Sequence, residues 1–405
     1  MKREHLSDLG CTSWPAAGQG NGGARIAGGQ TPCRVSIIVK ALNEEKRIAS
    51  TLESALRAVR QVGGEVILAD SYSSDRTVEI ARRYPVRIVQ LMHPADRCCG
   101  AGPQLGFAHA LGEFIYLVDG DMQLAEDFLP QALAFMHGRT EIAGVSGRVL
   151  EMHTENPEYQ ARHEQWAAVP SGLASRLDGG GLYRRRAIES VVYLSDRNLH
   201  SYEEFDLAAR LRSEGWDLWR LPIEAVSHYG HETPPYTLLL RRWRSGYIWG
   251  LGELLRASLK HDHLPLVLRE VRELRLYAAV LVWWLALLTL PFLTFLPLTL
   301  GQRLVADALL LAFPVLVMSW RKRSFERGLY AVASWCVHAA GLLRGLARKQ
   351  VDPKQPLARR VLQEAGYVAA PAPGCGTAEP LKRRAAASAG PLAKVQQLQD
   401  GRHAS

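Results

Sequence analysis

The sequence predicts an α/β fold with a mostly parallel sheet, followed by helices that span a membrane. Short β-branched runs alternate with amphipathic stretches of helical spacing between residues 34 and 120, and this alternation is typical of βαβ units. Farther along the chain, residues 276–302 contain no charged side chain. An apolar run of that length is sufficient for a membrane helix.

Four short apolar runs are predicted to be the strands of the sheet: 35–39, 66–69, 86–91 and 113–118. Asn43 is expected to cap the first helix, which begins with Glu44. Asp70 directly follows the second strand, and Asp119 follows the fourth. Ligands of open parallel sheets bind beyond the carboxyl ends of the strands, so both carboxylates are predicted to lie at the binding edge.

Composition divides the chain into five regions. They are a Gly-rich leader expected to be disordered (1–33), the α/β domain (34–250), a basic juxtamembrane helix (251–275), two or three membrane helices (276–345) and a basic, largely disordered tail (346–405). The leader lacks the apolar stretch of a signal peptide. We therefore expect the α/β domain to remain in the cytoplasm.

The second predicted membrane helix covers residues 304–320 and is followed by the basic segment 321–323. Because basic loops stay on the cytoplasmic side, two crossings place this segment and the α/β domain on that side of the cell (inner) membrane. A third apolar run, residues 329–343, is short and contains His338. This run could either cross the membrane or lie in the membrane interface. The basic residues that follow it favour the interface.

The formal net charge is +9, and its distribution indicates a membrane partner rather than nucleic acid. Eight basic side chains precede the first long apolar run: Arg241, Arg242, Arg244, Arg256, Lys260, Arg269, Arg272 and Arg275. Neither a zinc-finger spacing nor a helix-turn-helix signature is present. The six cysteines form no C-x-x-C pair, which is typical of incidental thiols in a reducing compartment.

The motif Asp119-Gly120-Asp121 follows an apolar strand. Two carboxylates two residues apart on a turn can approach one hard cation, and Mg²⁺ or Mn²⁺ is typically held by one or two carboxylates plus phosphate oxygens of the substrate. Such a cation neutralises charge on a departing diphosphate. An ordinary Asp-Gly turn after a strand is the alternative interpretation.

Two further acidic segments are candidates for the site. Asp70 opens a Ser-rich loop and can accept hydrogen bonds from a base or ribose, whereas Ser74 and Asp75 are expected to cap the next helix. Glu203 and Glu204 head a predicted helix, and a carboxylate there could serve as a general base. A capping box from Ser201 to Glu204 explains the second segment equally well on local grounds.

Taken together, these segments resemble glycosyltransferase family 2, whose members are inverting enzymes with a GT-A fold, a Rossmann-like mostly parallel sheet with flanking helices. The resemblance covers about residues 35–250. It depends on the ordered series IIVKALNEE, EVILADSYSSDRT, GEFIYLVDGD, GGGLYRR, EEFDLAARLRSEGW and HYGH.

The resemblance implies a role for each matching position. Nucleotide contacts are expected at Ala41, Glu44, Asp70, Gln104 and Asp119, the Mg²⁺ or Mn²⁺ ligands at Asp119, Asp121 and His228, and the acceptor beside Gly180 and Gly181. Glu204 occupies the position of the catalytic base, next to Glu203. His231 is a second histidine that could contact the metal, and a surface role for either histidine is the alternative.

The sequence departs from the family pattern at several positions. Lys40 stands where the family usually has Pro, Pro103-Gln104 replaces a frequent Arg-Asn pair, and the base position holds Glu204 instead of Asp. Processive synthases of the family carry Gln-x-x-Arg-Trp, and Leu239 stands at the Gln position. A synthase that extrudes a polymer is therefore not expected.

The resulting hypothesis is a metal-dependent, non-processive, membrane-anchored glycosyltransferase of the hexosyltransferase type. It would use a UDP-, GDP- or dTDP-sugar and a lipid-linked or saccharide acceptor in cell-surface polysaccharide or glycolipid synthesis. A sugar nucleotidyltransferase is one alternative, although the segment after the first strand is not Gly-rich. A catalytically inactive membrane scaffold that retains the fold is the other.

Overall fold

In the computed structural model, the α/β domain is built around one mixed sheet that is covered by helices. The structure describes residues 34–152, 170–230, 234–293 and 297–369. The predicted leader, His231 and residues 370–405 of the predicted tail lie outside the described residues.

The sheet has the strand order β10-β3-β2-β1-β4-β8-β6-β9-β5, with β7 paired to β9. The strands are β1 (Val35–Ala41), β2 (Gly64–Asp70), β3 (Arg87–Leu91), β4 (Phe114–Asp119), β5 (Met122–Leu124), β6 (Ile142–Glu151), β7 (Gly172–Leu173), β8 (Leu182–Arg184), β9 (Asp217–His228) and β10 (Arg359–Gln363). The first four strands are parallel to one another. β8 and β10 are antiparallel to their neighbours.

Helices cover both faces of the sheet. Those of the α/β domain are α1 (Ile48–Val62), α2 (Thr77–Ala81), α3 (Ala101–Phe107), α4 (Phe128–Met136), α5 (Arg185–Ser190) and α6 (Glu203–Ser213). Every residue of β2 is buried, as expected for a parallel strand with helices on both sides. Two apolar clusters, one on each face, hold these layers together.

The remaining helices are α7 (Pro235–Arg244), α8 (Gly250–Ser258), α9 (Leu264–Glu270), α10 (Glu273–Thr289), α11 (Leu300–Lys322) and α12 (Phe325–Ala347). A third apolar cluster joins α6 to α8, α9, α10 and α12. The helix that begins with Glu203 and Glu204 therefore packs directly on the C-terminal helices.

Three helical segments are long and apolar enough to cross a membrane: Glu273–Phe292, Leu300–Lys322 and Phe325–Ala347. The first ends early because Pro291 lies in a short 3₁₀ turn that follows α10. The third is 23 residues long, so the run predicted at 329–343 was too short. A third of its apolar window is buried, whereas no residue in the window of α11 is buried.

Four expectations require correction. α1 begins at Ile48 and not at Glu44, because residues 44–47 form a turn in which the amides of Arg47 and Ile48 both donate to the Glu44 carbonyl. The sheet, expected to be mostly parallel, is mixed in detail: β1–β4, β6 and β9 run in one direction, whereas β5, β7, β8 and β10 run in the other. The single juxtamembrane helix is two helices, α8 and α9.

The fourth correction concerns the tail, which was expected to be largely disordered from residue 346. Residues 359–363 instead form β10, which pairs with the edge strand β3. Pairing satisfies the backbone groups of β3 that would otherwise form an open edge. The chain therefore returns to the α/β domain after its apolar helices.

Candidate active site

The predicted binding edge is formed by the carboxyl ends of three adjacent strands. β1 lies between β2 and β4, with Ala41 in register with Asp70 and Lys40 in register with Asp119. Parallel strands end at the same edge, and for this reason residues far apart in sequence converge there. The structure thus brings together the residues expected from the first, second and fourth strands.

Gly120 allows the turn after β4 to approach the segment after β1. Its amide donates to the Lys40 carbonyl at 2.8 Å, and its own carbonyl accepts a hydrogen bond from Thr51 Oγ1, also at 2.8 Å. A Cβ on Gly120 would lie 2.8 Å from Glu44 Cγ, a distance that real Cβ atoms do not show. A side chain there would push Glu44 away from the two aspartates.

Negative charge is crowded at this edge. Burial, together with the carboxylates of Asp121 and Asp119, raises the pKa of Glu44 to about 8. Asp121 is buried, whereas Asp119 is partly exposed. A cation placed among these oxygens would relieve their repulsion.

Lys40 supplies one positive charge inside the site. Its ammonium lies 2.8 Å from Asp119 Oδ1, 3.8 Å from Glu203 Oε1 and 4.0 Å from Glu204 Oε1. Burial opposes its charge, but the attraction of these three carboxylates raises the pKa of Lys40 above its ordinary value. Lys40 therefore links the Asp-Gly-Asp turn to the Glu203–Glu204 pair.

The two glutamates form the first turn of α6. Burial raises the pKa of both carboxyls, and the pKa of Glu204 reaches about 8 although Lys40 acts in the opposite direction. The preceding residue, Tyr202, has a φ of 67°, a left-handed conformation that is costly for a side chain with a Cβ. Ser201 anchors this bend through a hydrogen bond of 2.8 Å from its hydroxyl to the Tyr247 carbonyl.

His228 lies at the end of β9, in register with Met122 of β5 and Glu151 of β6. Its Nε2 is 3.3 Å from Asp121 Oδ2, and its Nδ1 donates to Glu151 Oε2 at 2.7 Å. Burial opposes the charged ring, but these two carboxylates raise the pKa of His228 to about 10. A carboxylate on one ring nitrogen is the usual way to orient a histidine toward a metal.

Asp70 is fully buried at the end of β2. Its Oδ2 accepts hydrogen bonds from the Ser73 amide at 3.0 Å and from Gln90 Nε2 at 2.7 Å. Its Oδ1 is also buried, and among the described residues it has no hydrogen-bond partner. An N–H or O–H donor of a ligand would satisfy that oxygen.

Gln104, Gly180 and Gly181 were also predicted to be site residues, and the structure shows what their atoms contact. Gln104 Oε1 accepts the amides of Leu194 and Ser195, both at 3.1 Å, so this oxygen already has two partners within the protein. Gly181 extends β8, since its carbonyl accepts the Leu117 amide at 3.0 Å. Gly180 has a φ of 105°, a conformation that favours glycine, and lies beside Asp178, whose charge also raises the pKa of Glu204.

The residues present fit a divalent cation that also binds a phosphate group. Among the described residues, no three His, Cys, Asp or Glu side chains form a group that could hold a metal ion alone. Asp119 and Asp121 nevertheless supply hard oxygen ligands, and Mg²⁺ typically combines one or two carboxylates with substrate phosphates. Burial, followed by the negative charges of Asp121 and Asp119, raises the pKa of Glu44, and the approach of these three carboxylates to one another at the end of β1 and β4 is the observation that favours a cation here.

Residues 36–191 match the model of glycosyl transferase family 2, so this part of the chain is similar to that family. Over 121 residues the chain is 27% identical to the 4,4'-diaponeurosporenoate glycosyltransferase of Staphylococcus haemolyticus, covering 29% of this chain and 32% of that protein. Over 116 residues it is 28% identical to the undecaprenyl-phosphate 4-deoxy-4-formamido-L-arabinose transferase of Pectobacterium carotovorum, covering 27% and 36%. The chain spans about a third of the length of these curated relatives.

Among solved structures, the fold is similar to that of the mannosyltransferase PcManGT from Pyrobaculum calidifontis in complex with GDP-Man and Mn²⁺. The two chains are 18% identical, and the superposition covers 77% of this chain and 89% of that one, with a TM-score of 0.49. The fold class expected from the sequence, an α/β domain followed by apolar helices, is confirmed by the strand order of the sheet and by the three long apolar helices of the structure itself.

Three residues of the site were not anticipated as participants. Lys40 was noted only as a departure from the family pattern, and no local motif marks Glu151 or Gln90. The signal for Lys40 was available, because a lysine at the end of a buried strand beside a predicted acidic edge needs a partner. Glu151 and Gln90 depend on the strand register, which the sequence does not specify.

Replacing Asp121 by Asn removes a negative charge while keeping the size of the side chain. We expect the affinity for Mn²⁺, measured by electron paramagnetic resonance with nucleoside diphosphate present, to fall by about tenfold or more. Asp127→Asn, an exposed aspartate beside α4, is the matched control and should leave the affinity unchanged. Equal Mn²⁺ binding by the Asp121 variant and the wild type would contradict the proposed cation site.

Proposed function

We propose that this domain transfers a sugar from a nucleoside diphosphate sugar to an acceptor hydroxyl, with inversion at the anomeric carbon. The observation that carries this proposal is the convergence of Asp119, Glu203 and Glu204 around Lys40, with all three carboxylates within 4.0 Å of its ammonium. Carboxylates that could hold a cation on a diphosphate thus lie beside carboxylates that could accept a proton.

The donor would lie across the carboxyl ends of β1, β2 and β4. Asp70 would accept a hydrogen bond from the nucleotide, next to Ala41 and Glu44. Asp119 and Asp121, with His228 once its ring is neutral, would hold Mg²⁺ or Mn²⁺, which neutralises negative charge on the diphosphate leaving group. The environment of Gln104 supports a structural role for its side-chain oxygen rather than a contact with the diphosphate.

Glu204 would act as the general base. It accepts the proton of the acceptor hydroxyl as the oxygen forms a bond to the anomeric carbon, and the bond from that carbon to the diphosphate oxygen breaks with its electron pair on the diphosphate. Attack from the face opposite the leaving group inverts the configuration. A pKa near 8 makes Glu204 a stronger base than an ordinary glutamate, and Lys40 limits the increase.

The acceptor would be lipid-linked or a saccharide, and the acceptor side of the site would be formed by Gly180, Gly181 and Asp178. The apolar helices and the basic side chains before them support a lipid-linked acceptor, because they would hold the domain at a membrane. The name of the similar transferase from Pectobacterium carotovorum includes undecaprenyl phosphate, a lipid-linked phosphate. Synthesis of a cell-surface polysaccharide or glycolipid is consistent with such an acceptor.

We also propose that two helices cross the membrane and that α12 does not. α10 follows directly from α9, which packs in the α/β domain, and β10 follows α12 and pairs with β3. Because the chain leaves the domain and returns to it, the number of crossings must be even. α10 and α11 are joined to each other through Trp283 Nε1, which donates to the Leu310 carbonyl at 3.0 Å.

The packing of α12 supports its place at the interface. Near its start, the ring of Tyr330 packs edge-on against Tyr236 of α7 with centroids 4.9 Å apart. Near its end, Cβ atoms added at Gly341 and Gly345 would clash with Ile248 and Trp249, so the backbones are in close contact. A helix of this length spans about 35 Å, which is about the thickness of a membrane. If α12 crossed the membrane perpendicular to its plane, its two ends would lie on opposite sides, but both ends contact elements that precede the membrane helices.

The first test is release of nucleoside diphosphate from a panel of UDP-, GDP- and dTDP-sugars by detergent-solubilised protein with Mn²⁺. We expect release from one donor, and a loss of about 100-fold or more in Glu204→Gln, because general base catalysis contributes roughly that factor. Glu214→Gln, just after α6, is the control. An active Glu204→Gln would contradict the assigned base, and a wild type that neither binds nor cleaves any donor would favour the inactive scaffold.

The pH dependence of kcat/KM provides an independent check of the base. Glu204 acts only when deprotonated, so the rate should decrease about tenfold per unit as pH falls below its pKa near 8. Lys40→Met removes a nearby positive charge and should move this midpoint to higher pH. A midpoint that moves to lower pH, or does not move, would contradict the proposed coupling between Lys40 and Glu204.

The membrane arrangement can be tested by cysteine labelling with an impermeant maleimide in a background without native cysteines. Gly301→Cys, in the first turn of α11, should react only from the side opposite the α/β domain. Arg323→Cys, between α11 and α12, should react from the same side as Arg60→Cys in α1. Labelling of Arg323→Cys from the opposite side would contradict two crossings by α10 and α11.

A further inference from the structure

The C-terminal strand β10 places a basic side chain near the predicted nucleotide pocket. Asp70, Gln90 and Arg360 are register partners on the adjacent strands β2, β3 and β10. Register partners in a sheet have neighbouring side chains on the same face. On the other side of Asp70, its register partner on β1 is Ala41. The row of register partners therefore runs from Ala41 through Asp70 and Gln90 to Arg360, across the edge where the donor is proposed to bind.

The hydrogen bonds along this row have a fixed direction. Arg360 has only donors, and its Nε and Nη2 both bond to Gln90 Oε1, the first at 2.9 Å. This oxygen is thereby fixed as an acceptor, and the amide nitrogen of Gln90 is left to donate to Asp70 Oδ2 at 2.7 Å. Without Arg360, the amide could rotate by 180° and place its oxygen against the carboxylate.

The hydrogen bonds from Arg360 through Gln90 end at the Asp70 carboxylate and leave its Oδ1 open to a ligand. Oδ2 has two donors, Gln90 and the Ser73 amide, whereas the buried Oδ1 has none among the described residues. A buried carboxylate oxygen without a donor is unfavourable in the free protein. A ligand that brings an N–H or O–H group would remove this deficit, as the imide of uracil, thymine or guanine or a ribose hydroxyl would.

We infer that Gln90 and Arg360 are positioning residues for the donor nucleotide, which aim Asp70 Oδ1 at an N–H or O–H of the base or ribose. This inference rests on the proposed function, because it needs a nucleotide at Asp70. It assigns part of the donor site to the segment that follows the membrane helices. Arg360 itself acts through Gln90 and touches no substrate.

A purely structural role for Arg360 is the competing explanation, because loss of its contacts could loosen β10. The preceding residue offers a matched control. Arg359 lies on the same strand and is partly buried, whereas Arg360 is exposed. The Nε of Arg359 donates to His109 Nε2 at 2.8 Å, away from Gln90. Side chains of successive strand residues point to opposite faces, so a change at Arg359 tests the strand without touching Asp70.

The experiment is titration calorimetry of UDP, GDP and dTDP, with Mn²⁺, into the full-length protein in detergent. For the nucleotide that the wild type binds, Arg360→Met should weaken binding by about tenfold, the order expected for one hydrogen bond to a charged group. Arg360→Lys should restore much of this loss, and Arg359→Met should change affinity by less than about twofold. Gln90→Met, which leaves Arg360 in place, should reproduce the loss.

Steady-state kinetics distinguishes positioning from general damage. The KM for the donor should rise in Arg360→Met and Gln90→Met while kcat remains close to that of the wild type. Unchanged nucleotide affinity in both variants would overturn the inference and leave the proposed function intact, as would equal losses in Arg359→Met and Arg360→Met. A wild type that binds none of the three nucleotides would instead overturn the proposed function, and the inference with it.

Discussion

Concentrated negative charge at one edge of the sheet is the constraint on which the rest of the site depends. Glu44, Asp119 and Asp121 lie together at the ends of parallel strands, and Glu203 and Glu204 approach them from α6. The proposed diphosphate donor would add further negative charge. Such an assembly is stable only with compensating cations, and the Lys40 ammonium and the His228 ring are the two that the described residues bring into direct contact with it.

These two cations also divide the site by role. Lys40 contacts both Asp119 and Glu204, so it holds Glu204, the proposed proton acceptor, at a fixed position relative to the turn that would bind the metal. His228, held by Glu151, faces Asp121 from the other side. A metal ion arriving with the donor would reduce the need for a positive charge on His228, whose neutral ring could then act as a ligand.

The positions of the first four strands along the chain could be predicted from the sequence, because each strand is an isolated apolar run. The convergence of Asp70 and Asp119 at one edge of the sheet could also be predicted, because each aspartate stands at the end of one of these strands. The second half of the sheet could not. β8 is a three-residue strand whose direction is set by its neighbours, and β10 is a polar edge strand without apolar alternation. Tertiary pairing overrides local propensity in such segments.

Within the site, the sequence predicted the carboxylates because their motifs are local, as with Asp119 and Asp121. It could not predict the contacts that hold them. Glu151 lies in register with His228, and Gln90 with Asp70, only through strand pairing. The roles assigned to Gly180, Gly181 and Gln104 remain predictions. Gln104 matches a motif position, yet its side-chain oxygen accepts the amide of Leu194 and so holds a neighbouring loop.

The proposed mechanism is a single displacement at the anomeric carbon, assisted by Glu204. The most direct measurement is the anomeric configuration of the sugar released when water replaces the acceptor, followed by proton NMR from an α-linked donor before mutarotation. A single displacement predicts that the β-anomer forms first. Initial formation of the α-anomer would show retention and would contradict both the single displacement and the role given to Glu204.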